Sequence, residues 1–350
     1  MMAPIQVLIV DDSAVSRDLL AHIIESDPSL EVIGKAENGE EALQFIEKRN
    51  PDIVLMDIVM PKMDGFEATR KIMERSPLPI VIVTGLYNPK EVKQGYRALS
   101  AGALAILGKP AGLRDPKYAE ISHSLIQAIK VLANVKIKRP PLTSLSMASP
   151  ATPSLFMQPS VSSFHAIGIG ASIGGPQALS TILSSLPSNF PVPIIALQQL
   201  STDFNQGLAD WLASSCNLNI KLPEEGEKLT PGTVYICPHD CHLEIDEHKG
   251  IKLIKPSTQE DACPSINRLF KSMAKHMGAK SIGVLLSGSG NDGVEGVLDI
   301  KKAGGVSIIQ DEESSLMFDK PQQAIQAGAA NQVVPLQQIA TTLESLIKIK

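Results

Sequence analysis

The 350-residue sequence lacks the marks of a membrane, nucleic-acid-binding or disulfide-stapled protein. No apolar run approaches the ~18 residues that a membrane-spanning helix needs. The opening Met1-Met2-Ala3-Pro4-Ile5-Gln6-Val7 has no basic stretch and runs straight into Asp11-Asp12, so no secretory signal is expected. Basic residues do not outnumber acidic ones, and a net charge of −5 offers no footprint for nucleic acid. Four cysteines, three of them between Cys216 and Cys241, make no disulfide ladder. Aromatic residues amount to only 4%, which speaks against an all-β sandwich and for aliphatic α/β packing. The expectation is a cytoplasmic protein with neither membrane insertion nor a nucleic-acid partner.

What the chain does have is aliphatic material for sizeable cores, at 43% hydrophobic, and a length that fits two or three domains. In the first 135 residues short apolar runs alternate with amphipathic ones. Ile5–Val10, Val32–Ala36, Ile53–Asp57, Ile80–Thr84 and Ala105–Leu107 read as strands. Ser13–Glu25, Gly39–Arg49, Gly65–Arg75, Pro89–Leu99 and a longer stretch near Asp115–Val135 read as helices. Such alternation predicts a flavodoxin-like, doubly wound parallel sheet whose site lies beyond the carboxyl ends of the strands. Those ends carry Asp11-Asp12, Asp57, Thr84 and Lys109. Asp and Thr often end strands as turn formers, but five such groups in register go beyond that. Converging carboxylates repel one another unless a hard divalent cation joins them, and a lysine and a hydroxyl opposite suit an acyl phosphate.

Asp11-Asp12, Met56-Asp57-Ile58-Val59-Met60-Pro61-Lys62-Met63-Asp64-Gly65, Thr84 and Lys109-Pro110 resemble a two-component receiver domain over roughly residues 4–130. The resemblance implies Asp57 as phospho-acceptor, supplied by a histidine kinase. It also implies Mg²⁺ held by Asp12, Asp57 and the Val59 carbonyl, with Asp11 reaching the metal through water, and Thr84 and Lys109 touching the phosphoryl group. The aromatic usual on the fifth strand is replaced by Ile106, and Tyr87 lies elsewhere. Residues 136–164, rich in Pro, Ser and Thr with no sustained period, read as an interdomain linker.

Residues 165–350 form a second α/β domain with a largely parallel sheet. It opens with His165-Ala-Ile-Gly-Ile-Gly-Ala-Ser172-Ile-Gly-Gly-Pro176, an apolar strand that breaks into glycines and restarts as a helix. Ser172 at a strand-to-helix turn suits either a nucleophile beside backbone N–H groups or a phosphate-binding turn. Further strands are expected at Pro193–Gln198, Ile251–Ile254, Ser281–Leu286 and Val306–Gln310, and helices at Asn205–Ser214, Ser265–Met277 and Val294–Ala303. A second glycine-rich turn, Ser287-Gly-Ser-Gly-Asn-Asp292-Gly293, also follows an apolar strand, so parallel pairing brings Ser172 and Asp292 to one edge. A dinucleotide fold fits less well: Ile173 stands where a third glycine belongs, and no acidic residue ends the next strand. Cys237-Pro-His239-Asp-Cys241-His242 matches no standard zinc spacing.

Ile169-Gly-Ala-Ser172-Ile-Gly-Gly-Pro176, Leu286-Ser-Gly-Ser-Gly-Asn-Asp292-Gly293, Pro231-Gly-Thr-Val-Tyr-Ile, His242-Leu, Leu269-Phe-Lys-Ser and Val334-Pro-Leu together resemble the CheB-type chemotaxis receptor methylesterases. A receiver, a linker and this domain are that family's arrangement. The resemblance implies hydrolysis of glutamate γ-methyl esters on chemoreceptor cytoplasmic helices, with release of methanol, deamidation of glutamines in many members, and no cofactor at the hydrolase site. Ser172 is then the nucleophile, Asp292 orients a histidine base, and backbone N–H groups near Ser172 hold the oxyanion. The histidine position, however, is Gln199, in Leu197-Gln198-Gln199-Leu200-Ser201. An amide takes no proton near neutral pH, and losing a general base costs ~10²–10⁴ in rate. Ser289 and Asp319-Lys320-Pro321 depart from the family's usual Met and Gly-Met-Pro. His242, expected on a loop after a strand, is the best substitute base among the histidines, although a hydrogen bond to backbone is the more ordinary role for it. His165, at the far end of the Ser172 strand, is excluded. Two expectations stand: a phosphorylation-regulated methylesterase, or a catalytically degenerate receptor-binding or phosphate-sink module.

Overall fold

The computed structural model describes residues 3–85, 89–115, 118–135, 137, 164–199, 204–257 and 263–347. The expected linker lies almost wholly outside them, as does Tyr87. The first five strands are β1 (Ile5–Val10), β2 (Leu30–Ala36), β3 (Ile53–Met56), β4 (Ile80–Thr84) and β5 (Ala105–Gly108). They form a parallel sheet in the order β2-β1-β3-β4-β5. β3 and β4 are buried along their whole length, as strands covered on both faces must be. The intervening helices are α1 (Ala14–Glu25), α2 (Gly39–Lys48), α3 (Gly65–Arg75), α4 (Pro89–Ser100) and α5 (Tyr118–Leu132). Ser13, Asn38 and Asp64 cap the first three by accepting from the N–H groups of Ser16, Glu41 and Glu67.

The second sheet has seven parallel strands in the order β14-β13-β12-β6-β7-β9-β8. Its centre is β6 (Ala166–Ala171), flanked by β7 (Ile194–Gln198) and β12 (Ser281–Leu285). Beyond β12 lie β13 (Val306–Gln310) and β14 (Gln332–Val334); beyond β7 lie β9 (Thr233–Ile236) and the short edge β8 (Asn219–Lys221). β10 (His242–Ile245) and β11 (Ile251–Ile254) make a separate antiparallel hairpin. His242 therefore begins a strand and is fully buried, which corrects its expected place on a loop. The helices are α6 (Gly175–Ser185), α7 (Asn205–Ser215), α8 (Ile266–Met277), α9 (Val294–Lys302), α10 (Asp319–Gln326) and α11 (Leu336–Ile347). Strand order runs from β6 one way to β7 and then reverses to β12, so the β6 edge is a topological switch point, where α/β sheets place their sites.

The two sheets are joined through helices. Tyr96 of α4 is fully buried, stacks on Trp211 of α7 with ring centroids 5.5 Å apart, and donates its hydroxyl to the Phe204 carbonyl at 3.1 Å. Gln177 of α6 donates to the Ala103 carbonyl at 2.8 Å. Ile173, next to Ser172 in its turn, and Leu316, against Gly174, pack on the apolar cluster that contains Leu104 and Leu125.

Candidate functional site

Two groups of polar residues stand at the carboxyl ends of the two sheets. In the first, Asp11, Asp12 and Asp57 offer carboxylate oxygens that all lie within 4.8 Å of one another. Lys109 reaches between them, with Nζ 2.6 Å from Asp11 Oδ2 and 2.9 Å from Asp57 Oδ2. Asp57 Oδ1 accepts from the Ile58 N–H at 2.8 Å. Asp11 Oδ2 is buried, and the Lys109 ammonium is the cation beside it. Asp57 is only 7% exposed. Burial pushes its carboxyl up to about 6, against the pull of the Lys109 ammonium and with a smaller push from Asp11. Burial draws Lys109 down, but Asp57 and Asp11 together outweigh it and leave the ammonium above the ordinary lysine value. Thr84 closes β4, fully buried, and Val59 is half exposed on the loop after Asp57.

In the second group Ser172 directly follows β6 and is 7% exposed. Its turn is fixed from several sides. Ser172 N–H donates to the Ser287 carbonyl at 3.1 Å, and Gly175 N–H donates back to the Ser172 carbonyl at 2.9 Å. The buried Gln198 side chain donates to the Ser172 carbonyl at 2.7 Å, and Ser287 Oγ donates to the Ile173 carbonyl at 2.7 Å. Gly174 takes φ 81°, a left-handed conformation that ordinary side chains resist, and starts α6. Across the edge Gly288 passes so close that a Cβ there would stand 2.2 Å from Ser172 Oγ. The next residue aims its backbone N–H at the hydroxyl: Ser289 N lies 3.1 Å from Ser172 Oγ. Ser172 N–H is turned to the Ser287 carbonyl, whereas Ser289 N–H points at the reacting hydroxyl and is placed to donate to an oxyanion formed there. Ser289 was conspicuous in the sequence for its side chain, whereas its backbone reaches the site.

Asp292 is anchored at the start of α8. Oδ1 accepts from Ser265 Oγ and Asn267 N–H, both at 2.9 Å, and Oδ2 accepts from Ile266 N–H at 2.7 Å. Gln199 closes the arrangement: its Nε2 donates to Asp292 Oδ2 at 2.8 Å and, more weakly, to the Pro264 carbonyl at 3.2 Å. The amide thus takes the bond that a histidine N–H would make, and its donor side is spent on it. Gln199 and Asp292 are joined directly, and Ser172 stands at the end of the strand next to that of Gln199, on the same sheet edge. His242 meets the arrangement through Ser265: its Nδ1 accepts from Ser265 N–H at 3.3 Å, while the Ser265 hydroxyl donates to Asp292. His165 stands at the opposite end of β6, with its N–H on the Lys280 carbonyl.

One participant was visible in the sequence only as a departure. Lys320, on α10, is 0% exposed. Its Nζ donates to the Asp292 carbonyl at 2.6 Å and faces Gln199 Oε1 at 3.5 Å. Burial lowers it to about 8, although Asp292 and Asp319 both favour the ammonium.

A receiver-type acidic cluster on one sheet and a serine-bearing switch point on the other define a response regulator with a hydrolase-like output domain. Residues 7–117 match the response regulator receiver domain model, and residues 167–343 match the CheB methylesterase model. The chain belongs to the CheB methylesterase family. A protein-glutamate methylesterase/protein-glutamine glutaminase from Nitrosospira multiformis is 40% identical over 98% of this chain and 97% of its own. One from Geobacter metallireducens is 40% identical over 98% and 99%. The crystal structure of the Thermotoga maritima CheB methylesterase catalytic domain matches 53% of this chain and all of its own, at 35% identity and a TM-score of 0.50. Among the described residues no helix is long and apolar enough to cross a membrane.

Proposed function

We propose that this chain hydrolyses glutamate γ-methyl esters on the cytoplasmic helices of chemoreceptors, releasing methanol, and that phosphorylation of Asp57 by a histidine kinase controls it. Deamidation of receptor glutamines is the companion reaction, since an amide and an ester present the same carbonyl to Ser172. The observation that carries the reading is Ser172 Oγ under the Ser289 N–H, at the switch point it shares with Asp292. In the receiver, Mg²⁺ would be held by Asp11, Asp12, Asp57 and the Val59 carbonyl, and three carboxylates whose oxygens lie within 4.8 Å of one another, with the single Lys109 ammonium among them, fit such an ion. The ion supplies positive charge against the carboxylates and the incoming phosphoryl oxygens. Thr84 and Lys109 contact that phosphoryl group. Ile173, Gln177 and Leu316 connect the Ser172 turn to the receiver, which supports control of one site by the other.

A second reading, a catalytically degenerate module that binds receptors or drains phosphoryl groups, is favoured by the amide at Gln199. Methanol release from methylated receptors separates the two, measured with and without a small phosphodonor. The methylesterase reading expects turnover by the wild type; turnover confined to Gln199→His would establish the degenerate module.

The receiver also carries a stability prediction. Folding raises the Asp57 carboxyl from 3.8 to about 6. The protonated acid is thus the form the fold favours, and its stabilisation is complete below the lower value and lost as pH rises through the upper one. At neutral pH the deficit is on the order of 3 kcal/mol. Asp57→Asn removes the ionisation but also a partner of Lys109, so a gain of about 1–3 kcal/mol is expected in chelator. Mg²⁺ is expected to raise the melting temperature of the wild type and to raise the variant's far less. Identical melting curves and identical Mg²⁺ responses would contradict the assigned cluster.

A further inference from the structure

The Ser172 hydroxyl accepts from Ser289 N–H, but among the described residues nothing takes its proton. Asp292 is saturated by Gln199, Ser265 and the start of α8. His242 Nδ1 accepts from the Ser265 N–H. Asp319 is engaged with the Gly290 N–H at 2.7 Å and with the Gln323 amide at 2.9 Å, which leaves Lys320 as the titratable group beside Ser172. A Cβ built on Gly288 would stand 2.2 Å from Ser172 Oγ and 3.0 Å from Lys320 Cε, so those atoms are separated by no more than the sum of these distances. Both border the space that a side chain at Gly288 would fill. The Lys320 ammonium nitrogen donates to two neutral oxygens and makes no ion pair among the described residues. A fully buried lysine without a counter-ion is costly to maintain, and here it occupies the edge where a proton has to move.

We propose that Lys320 is the general base and acid of the Ser172 chemistry, in place of the histidine whose position Gln199 occupies. For its substrate the inference rests on the methylesterase reading. Neutral Nζ takes the Ser172 proton as Oγ bonds to the ester carbonyl carbon, and the carbonyl π pair moves onto the oxygen under the Ser289 N–H. Collapse of the tetrahedral species breaks the bond to the methoxy oxygen. That oxygen takes the proton from the Lys320 ammonium and leaves as methanol. Water then attacks the acyl-serine, gives a proton to Nζ, and the ammonium returns it to Ser172 Oγ as the acyl bond breaks. Serine paired with lysine is an established solution to acyl transfer, and a desolvated lysine is a usable base near neutral pH.

Gln199 is then a positioning residue. With its Nε2 committed to Asp292 and the Pro264 carbonyl, its Oε1 turns to Lys320 as a neutral acceptor. The groups that act on the lysine are Asp292 and Asp319, both favouring the ammonium, and burial overrides them to leave it at about 8. The other elements packed on α10 add no counter-ion. β13 carries no ionisable side chain; α9 carries Glu295, which pairs with Lys271, and Asp299, Lys301 and Lys302.

The test reads Ser172 directly, through the rate at which an uncharged fluorophosphonate modifies the full-length protein across the neutral and alkaline range. Wild type is expected to react with a rate that climbs through about pH 8 and then levels. Lys320→Met, which keeps length and burial, is expected to lose ~10²-fold or more. Lys320→Arg keeps the charge but cannot give up its proton, and is expected to be equally slow. Gln199→His combined with Lys320→Met is expected to recover reactivity with a midpoint near ~6.5. A wild type that reacts no faster than Lys320→Met at any pH overturns the assignment. So does a wild-type midpoint below neutrality, which decides the matter even if the variants misfold. Labelling that follows Lys320 while methylated receptors release no methanol leaves the base in place and refutes the substrate.

Discussion

Ser172→Ala is expected to lower methanol release from methylated receptors by ~10³-fold or more, while the protein still folds and still takes up phosphate at Asp57. The expected size follows from what the residue does in the geometry. Ser172 Oγ is the atom beneath the Ser289 N–H, and the residues that brace its turn do so through the Ser172 backbone and the Ile173 carbonyl. Alanine keeps those backbone bonds and removes only the attacking oxygen. The loss is therefore in the chemical step, and a melting curve close to that of the wild type should accompany it. Residual turnover within tenfold of the wild type would mean that another residue supplies the nucleophile.

Asp57→Ala is expected to abolish incorporation of acid-labile phosphate from a small phosphodonor, and with it the donor's effect on methanol release. Asp57 is the carboxylate whose Oδ2 meets Lys109 at 2.9 Å and whose Oδ1 is held by Ile58 N–H. Asp11 and Asp12 share the cluster but follow a different strand. Incorporation by the wild type should also depend on Mg²⁺ and be lost in chelator, since the cation offsets the three carboxylates against the incoming phosphoryl oxygens. Persistent labelling of Asp57→Ala would move the phospho-acceptor elsewhere in the cluster.

Much of this was legible before any coordinates. The alternation of the first 135 residues carried the receiver, and the two glycine-rich turns carried the shared edge of β6 and β12, because parallel strands must present their loops on one side. The strand ahead of Ser172 runs to Ala171, two residues beyond the apolar run that ends at Ile169, since Gly170 and Ala171 continue the ladder with Leu197 and Gln198. What escaped is short or depends on distant contacts. β8 and β14 have three residues each, too few for any period. Thr233-Val-Tyr-Ile was noticed as a motif and is strand β9. His242 looked like a loop residue because a four-residue strand next to a turn carries no signal of burial. The partners of Asp292 come from Gln199 and the start of α8, and nothing in the local sequence predicts that meeting. Lys320 is the clearest case. A lysine in a chain reads as a surface residue, and only the fold removes it from water and sets it beside Gly288 and Ser172.

Gln199 and Lys320 belong to the same account. An amide in the base position removes the proton acceptor, yet the amide here is ordered, hydrogen-bonded to the aspartate that would have held a histidine, and turned toward a buried amine. A neglected site has no need to keep Asp292 in four hydrogen bonds or to seal an ammonium among neutral oxygens.

The most direct measurement is methanol release from methylated chemoreceptors by the full-length wild type with a phosphodonor, run beside Gln199→His. The account predicts turnover by the wild type, raised by the phosphodonor and increasing toward alkaline pH. Turnover by Gln199→His alone, with none from the wild type at any pH, would contradict it.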